Sequence, residues 1–391
     1  MSARPMHAVM VTPSASGGHA RYAWELMTAL RAAVPRSDLR LTLLTSSDLD
    51  PEFRTAQYEI ADVLPPLRHR STFASSLKWA ASRIAHYMGR DEAVLRWVRA
   101  QDRIDVLHYQ EPPFISAVHF ARVCGAGPSP VATVHNLHPH RYRVEAARGA
   151  TEWLARLGWR QCAALFVHSP CLRDQLARYL GVSAPPIVAI PHGVWTGHRP
   201  TSHESRPGGH LLLFGKMRRN KGLHLMLDAM RLLPGKRLVL AGAFDDQSFA
   251  REISTRIASE NLDVVIVDRV IPEAEVADLF SGAAVAVLPY AEFHAQSGVL
   301  HLAIAYGVPA VVTDVGALGE QVRREGIGAV ATAGNPGEFA RTVLNALEPH
   351  AYESARRNSL RLAATLSWSA AAELTFDTYG RLRAERGGRD G

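Results

Sequence analysis

Residues 211–222, LLLFGKMRRNKG, decide the fold of this chain. The apolar run 211–214 is typical of a buried strand, and it ends at Gly215, where four cations follow within six positions before a helical pattern begins. The positive end of a helix dipole and the free N–H groups of its first turn favour an anion, and lysines add full charges. The segment therefore predicts a strand that leads into a phosphate-binding loop with Lys216 and Lys221 as its cations.

A second stretch supplies the neighbouring loop. Residues 283–290 and 308–313 have the composition of buried parallel strands, with a polar turn and a short apolar helix between them. Loops outside the carboxyl ends of parallel strands are where open α/β sheets bind ligands. We therefore expect Ser297, Gly298 and Val299, at the start of that helix, to offer backbone N–H groups to the same anion as the two lysines.

At these residues the sequence resembles the GT-B glycosyltransferases, specifically the large retaining family known as family 4. That family grips the donor diphosphate with a G-R-x(4)-K-G segment, which stands here at 215–222 with Lys216 in place of arginine. Its E-x(7)-E signature would fall at His294 and Leu302, so both carboxylates are absent. A subset of the family carries Q-S-G-V instead, and residues 296–299 match that subset.

The resemblance implies an α/β fold of GT-B architecture, in which two doubly wound Rossmann-like domains face each other across a cleft. Residues 1–195 would bind the acceptor and residues 211–366 the nucleotide sugar. Between them, 196–210 is polar and rich in Gly, Pro and Ser, as linkers are. A terminal helix at about 367–385 would cross back to the first domain.

Two buried strands of the first domain, at 105–109 and 131–134, carry a histidine at or directly after their carboxyl end. These histidines are His108 and His135. Because the carboxyl ends of such strands border the ligand crevice, we expect His108 to face the acceptor. His135 occupies the histidine of the family's V-H-D segment, which implies a hydrogen bond to the donor sugar in the transition state. Asn136 replaces the aspartate of that segment and is assigned to the acceptor.

The motifs and the resemblance together assign a set of site residues, most of which lie in loops or at helix starts. The donor-binding set is Gly17, Gly18, Gly215, Lys216, Lys221, His294, Gln296, Ser297, Gly298, Val299 and Glu320. The acceptor-binding set is His19, His108 and Asn136, and the catalytic set is His135, Lys216 and Lys221. Asp245-Asp246 is not a D-x-D motif, and nothing else in the sequence looks like a metal site, so we expect neither a metal nor another cofactor.

Charge is distributed unevenly along the 391 residues. The net charge is +7, and residues 1–195 carry all of that excess. Residues 68–103 hold eight Lys and Arg against three Asp and Glu, with tryptophans and a near-helical apolar stripe. This is the composition of a helix that lies on a membrane surface, and equally of a helix packed on the sheet with a solvated polar face.

Sequence composition and the motifs that are absent also limit the expected partners and location of the protein. The chain lacks a run of roughly 20 apolar residues and an apolar signal region, so we expect a cytoplasmic protein that can associate peripherally with the inner face of a membrane through 68–103. We expect no nucleic-acid partner, because no recognised binding motif occurs. Three cysteines, an odd number, fit reduced thiols.

The predicted function is therefore transfer of a hexose, with retention, from a UDP- or GDP-sugar to a saccharide or lipid-linked acceptor, in polysaccharide or glycolipid biosynthesis. Two alternatives remain: a catalytically inactive sugar-nucleotide-binding or assembly subunit, and a GT-B sugar-nucleotide epimerase. An epimerase would need a carboxylate acid/base pair, which the sequence does not offer. A dinucleotide-dependent oxidoreductase is excluded because the loop after the first strand, PSASGGHA, lacks G-x-G-x-x-G.

Overall fold

The computed structural model describes residues 4–66, 77–110, 116–135, 137, 145–193, 208–292 and 297–387. The contacts divide the chain into two compact units. The first unit comprises Met1–His192 and Trp368–Gly391, and the second comprises Gly193–Ser367. The predicted first domain ended three residues later, at 195, and most of the predicted linker, 196–210, lies outside the described residues.

The first unit contains a seven-stranded, fully parallel sheet in the order β3-β2-β1-β4-β5-β6-β7. Its strands are β1 (Met6–Val11), β2 (Leu39–Ser46), β3 (Glu59–Leu64), β4 (Val106–Tyr109), β5 (Ser129–Thr133), β6 (Ala164–Val167) and β7 (Ile187–Ala189). Every residue of β1, β4, β5 and β6 is buried. Such near-continuous burial is typical of parallel strands that are covered on both faces.

The helices of the first unit connect these strands. They are α1 (Gly17–Ala33), α2 (Leu77–Arg99), α3 (Ser116–Gly125), α4 (Glu145–Arg160), α5 (Pro170–Leu180) and the terminal α13 (Trp368–Gly387). Helix α13 packs along α1. The hydroxyl of its buried Tyr379 lies 2.5 Å from Nδ1 of His108 on β4. Arg383 of α13 also donates a hydrogen bond to the carbonyl of Arg4. The C-terminal helix therefore completes the first unit.

The predicted basic segment 68–103 corresponds in its described part to α2. Ala93, Val94 and Val98 are buried against the sheet, and buried Arg90 donates a hydrogen bond to the carbonyl of Pro13. The carboxyl half of α2 is therefore part of the domain core, while residues 68–76 lie outside the described residues. None of the described helices has the length and apolar composition to cross a bilayer.

The second unit contains a six-stranded parallel sheet in the order β10-β9-β8-β11-β12-β13. Its strands are β8 (His210–Phe214), β9 (Leu238–Ala241), β10 (Val264–Val267), β11 (Ala283–Leu288), β12 (Ala310–Thr313) and β13 (Gly328–Ala331). Its helices are α6 (Leu223–Met230), α7 (Gln247–Ser259), α8 (Glu273–Ser281), α9 (Gly298–Ala305), α10 (Ala317–Glu325), α11 (Pro336–Ala346) and α12 (Pro349–Thr365). Strands alternate with helices in both units, which confirms the predicted α/β class.

In each sheet the strand order reverses at one point. The reversal lies at β1, between β2 and β4, in the first unit, and at β8, between β9 and β11, in the second. Open parallel sheets bind ligands outside the carboxyl ends of the strands at this point. The loops that follow β1, β4, β8 and β11 are therefore where a site is expected, and these loops together with the helix starts after them contain most of the sequence-predicted residues.

Candidate functional site

The loop after β8 is anchored by an apolar residue between two charged ones. Met217 is fully buried and pairs with Phe244 in an isolated parallel bridge. Its neighbours, Lys216 and Arg218, keep 57% and 39% of their side-chain surface exposed. The buried apolar residue thus fixes the backbone of the loop, and the basic side chains on either side of it remain accessible to solvent.

Lys216 and Arg218 share one carboxylate. Nζ of Lys216 lies 2.6 Å from Asp245, and Nε of Arg218 lies 2.9 Å from its other carboxylate oxygen. Burial opposes ionisation of Asp245, but the hydrogen bonds and charges of the two cations outweigh it and lower the pKa of the carboxyl. The predicted phosphate ligand Lys216 is thus already paired, and an anionic ligand would have to compete with Asp245 for it.

Lys221 is held differently, at the reversal point of the sheet. Its Nζ donates to the carbonyl of Phe214, at the end of β8, and at 2.8 Å to the hydroxyl of Tyr290, just after β11. The ammonium also lies 4.6 Å from the centroid of the Tyr290 ring, a cation–π distance. Its hydrogen-bond partners are neutral oxygens, so its positive charge stays uncompensated by them.

The predicted approach of the two loops is found. A Cβ built on Gly215 would lie 3.5 Å from Cγ2 of Val299 and 3.6 Å from Nζ of Lys221. Ser297 caps α9, its Oγ accepting from the N–H of Leu300. The N–H groups of the first turn of a helix are not used within the helix, so the start of α9 supplies anion-binding donors beside the lysine.

The other positions that the resemblance marks in this unit are Leu302, Glu320, His294 and Gln296. Leu302, at the second position of the missing signature, is only 7% exposed and offers no hydrogen-bonding side chain. Glu320 lies in the first turn of α10 and forms a 3.8 Å ion pair with Arg324 of the same helix. His294 and Gln296 lie outside the described residues.

In the first unit, Gly17 and Gly18 begin α1 directly after the loop that follows β1. No described heavy atom lies within 4 Å of a Cβ built at either position. Gly17 has a φ of +77°, a conformation that favours glycine over other residues. The helix start thus presents bare backbone to open space, which suits close approach of a ligand, and His19 follows at the third helical position.

The structure surrounds His135 with aromatic rings, of which the sequence had singled out that of His19 but not those of Tyr22, His168 and His192. The ring of His19 stacks on that of His135 at 4.7 Å and 18°, and Tyr22 meets His135 edge-on at 4.9 Å. His168 lies 4.9 Å from His135, and His192 lies 5.3 Å from His168. Burial and these neighbouring imidazoles lower the pKa of His135 well below its ordinary value, so the ring is neutral at pH 7.

His108 does not occupy the place we expected. The side chain of His108 is fully buried. Its Nδ1 is hydrogen-bonded to the hydroxyl of Tyr379, and its Nε2 to the hydroxyl of Thr133. A side chain without exposed surface has no atom to offer an acceptor, so the predicted acceptor contact of His108 is wrong. Asn136 lies outside the described residues.

Buried histidines of the first unit predict acid sensitivity. Burial lowers the pKa of His108 to about 3 and of His119 to about 4, whereas unfolded histidine has a pKa of about 6.5. Below pH 6.5 the unfolded chain therefore binds more protons, and the free energy of unfolding should fall by up to about 2.7 kcal/mol per pH unit for the two groups. Urea unfolding at pH 7.5, 6.5 and 5.5 measures this slope. In His119→Asn we expect the slope to fall by up to about 1.4 kcal/mol per pH unit, the share of one histidine, and an unchanged slope would contradict the assignment.

Among the described residues, no group of three or more His, Cys, Asp or Glu side chains is arranged to hold a metal ion. The charged groups at the second unit's loops are instead cations next to helix N–H groups. Such an arrangement favours an anion. A phosphate or diphosphate has several oxygens that can accept hydrogen bonds from the backbone N–H groups and cations of both loops.

Comparisons with known proteins agree with this geometry. A family model described as Glycosyltransferase Family 4 matches residues 16–197, and one described as Glycosyl transferases group 1 matches residues 208–349. Glycogen synthase from Mycobacterium tuberculosis is 25% identical over 410 residues, which cover 96% of this chain and 94% of that protein.

Solved structures share the fold at lower identity. Sucrose-phosphate synthase from Thermosynechococcus elongatus is similar with a TM-score of 0.77 and 18% identity, over 97% of this chain and 100% of that one. HepE from Anabaena, solved in complex with UDP and glucose, is similar with a TM-score of 0.70 and 14% identity, over 96% and 100% of the two chains. The fold of the chain is therefore one with two Rossmann-like domains, each built on a parallel sheet.

Proposed function

Because this chain belongs to the GT-B glycosyltransferases, we propose that it transfers a hexose, with retention, from a nucleotide diphosphate sugar to a saccharide or lipid-linked acceptor. The observation that carries the proposal is the position of Lys221, which is held at the strand reversal of the second unit beside Gly215 and the start of α9. The donor is a UDP- or GDP-sugar, and HepE, which has the same fold, was solved with UDP.

The diphosphate leaving group would be stabilised by fixed charges and dipoles. Lys221 and the N–H groups at the start of α9 are oriented before the ligand arrives, so little reorganisation accompanies the development of negative charge. Lys216 would join them after exchanging Asp245 for a phosphate oxygen. In this proposal no metal ion takes part in the transfer.

The acceptor would bind to the first unit. Open backbone at Gly17 and Gly18 and the imidazole of His19 lie at the sheet reversal of that unit, with Asn136 as a further contact. Glycogen synthase, to which the chain is similar over most of its length, supports a role in polysaccharide or glycolipid assembly. The buried side of α2 packs on the sheet, so the solvated basic face of segment 68–103 would be the part that attracts the enzyme to the inner face of the membrane, where a lipid-linked acceptor resides.

The experiment is a thermal-shift panel with UDP, GDP, ADP and TDP, each with and without Mg²⁺. A ligand at 100 times its Kd stabilises the protein by about 2.7 kcal/mol, so the right nucleotide is visible. We expect one nucleotide to raise the Tm equally with and without Mg²⁺, and to lose its effect in the Lys216→Ala/Lys221→Ala variant. A panel in which no nucleotide shifts the wild type would overturn the proposal.

A second measurement separates an enzyme from an inactive binding subunit. The sugar nucleotide that corresponds to the nucleotide from the panel is incubated with the protein, and release of the free nucleoside diphosphate is followed with and without saccharide acceptors. Acceptor-dependent release supports a transferase. Binding without release would instead support the inactive sugar-nucleotide-binding subunit.

A further inference from the structure

The carboxylate that faces the cations of the loop after β8 is carried by a firmly bonded backbone. The N–H of Asp245 donates to the carbonyl of Met217 at 3.1 Å, and the N–H of Met217 donates to the carbonyl of Ala243 at 2.9 Å. The N–H of Phe244 donates at 2.9 Å to the carboxylate of Asp268, which follows β10. The loop after β9 is therefore tied to the loops on both sides of it.

A glycine lets the loops after β8 and β9 approach each other closely. Gly242 has a φ of +143°, and a Cβ built on it would lie 2.3 Å from the carbonyl oxygen of Gly215. Only a residue without a Cβ fits there, so the approach is fixed by the backbone. It places the carboxylate of Asp245, which is 17% exposed, against Lys216 and Arg218. Burial opposes ionisation, but the two cations lower the pKa of Asp245, so its charge is present at pH 7.

The lysine of this ion pair can move, whereas the carboxylate cannot. The side chain of Lys216 is 57% exposed and is a flexible chain of four methylenes. An ion pair at such exposure contributes at most about 1 kcal/mol, so Lys216 can leave Asp245 at little cost. Lys221 differs because the carbonyl of Phe214 and the hydroxyl of Tyr290 hold it. Of the two lysines of the motif, Lys216 is therefore the one whose availability to an anion depends on a carboxylate.

We propose that Asp245 is a built-in competitor of the diphosphate, which holds Lys216 in the empty site, yields it to the phosphate when the donor binds and recaptures it as the nucleoside diphosphate leaves. A competing carboxylate weakens the binding of the product, and differences in affinity at one site arise mostly from the dissociation rate. Asp245 thus speeds product release. The release step rests on the proposed function, whereas the competition requires only an anion with the charge of a diphosphate.

The competition is tested by isothermal titration calorimetry of the whole protein with inorganic pyrophosphate at low ionic strength. Asp245→Asn keeps the size of the side chain and removes its charge, so we expect pyrophosphate to bind about tenfold more tightly, a gain of about 1.4 kcal/mol. A damaged fold cannot produce a gain, and Asp245→Ser should show the same gain if the asparagine variant does not fold. If Asp245 instead positions Lys216 for the anion, the variants bind more weakly. Unchanged, weaker or undetectable binding in the variants would overturn the proposal.

Two further variants separate the release of Lys216 from a general change of charge. Glu252 of α7 pairs with Arg219 at 3.1 Å and with His224 at 3.0 Å, so Glu252→Gln removes one negative charge without freeing Lys216. We expect it to leave the Kd for pyrophosphate within twofold of the wild type. In a Lys216→Met background, Asp245→Asn should tighten binding by less than threefold. A tenfold gain in Glu252→Gln, or an undiminished gain in the Lys216→Met background, would contradict the competitor role.

Product release is measured by stopped-flow displacement of a fluorescent UDP or GDP derivative by the unlabelled nucleotide. In Asp245→Asn we expect the dissociation rate to fall about tenfold, in step with the gain in affinity. An unchanged dissociation rate would overturn the role in release. Tighter pyrophosphate binding in Asp245→Asn, together with a wild type that binds no nucleotide, would refute the donor and leave the competitor in place. Nucleotide binding that Asp245→Asn does not tighten would refute the competitor and leave the donor in place.

Discussion

Lys221→Met is expected to lower kcat/KM for the sugar nucleotide by about 100-fold, which corresponds to about 2.7 kcal/mol of transition-state stabilisation. The methionine keeps the length and the packing of the side chain but removes the charge that lies between the ends of β8 and β11. Release of nucleoside diphosphate, measured as a function of donor concentration, gives the value. Lys216→Met should cost less, about tenfold, because Lys216 is 57% exposed and already shares its charge with Asp245.

The matched control for Lys221 is Lys236→Met in the same unit. Lys236 precedes β9, so it lies at the amino-terminal edge of the sheet, away from the strand ends that carry the site. Its substitution should leave kcat/KM within twofold of the wild type. An equal loss in the two variants would mean that general charge rather than a placed ammonium matters, and a Lys221→Met enzyme with wild-type kcat/KM would remove that residue from the donor site.

The meeting of the two loops of the second unit could be predicted from the sequence because it depends on topology alone. Parallel strands that lie side by side put their carboxyl ends on one edge of the sheet, so any residue just after β8 lies near any residue just after β11. Buried apolar runs identify such strands reliably. The approach of Gly215, directly after β8, to the helix start that ends the loop after β11 agrees with that rule.

Partners of charged and polar side chains could not be predicted in the same way. Asp245, which holds Lys216, lies in the loop after the neighbouring strand β9, and nothing in the local pattern of 215–222 indicates it. His168 is 33 residues from His135 in the chain and meets it only because β5 and β6 are adjacent. The signal that could have found His168 is the one used for His135, a histidine directly after a buried strand.

The error at His108 has a different cause. His108 lies within β4, not after it, and side chains along a strand alternate between the two faces of the sheet. The face it occupies is covered by α13, whose Tyr379 is 271 residues away in the chain. A local pattern can identify the strand end, but it cannot show which face a distant terminal helix will cover.

Gly222→Ala is expected to destabilise the second unit by about 3 kcal/mol. Gly222 has a φ of +70°, where a residue with a Cβ is strained by about 1 kcal/mol, and the added Cβ would overlap the carbonyl oxygen of Pro289. That carbonyl belongs to the backbone after β11 and cannot turn aside as a side chain can. For a unit of this size the loss should lower the Tm by roughly 6–12 °C, which differential scanning calorimetry measures.

Gly235→Ala separates the two causes of that loss. Gly235 has nearly the same φ, +75°, but no described heavy atom lies within 4 Å of its added Cβ. It should therefore cost only the backbone term, about 1 kcal/mol. Relief of the Gly222 clash would move Pro289, and with it Tyr290 and Lys221, so nucleotide binding should weaken in Gly222→Ala and persist in Gly235→Ala. Equal costs in the two variants would show that the contact with Pro289 does not constrain the loop.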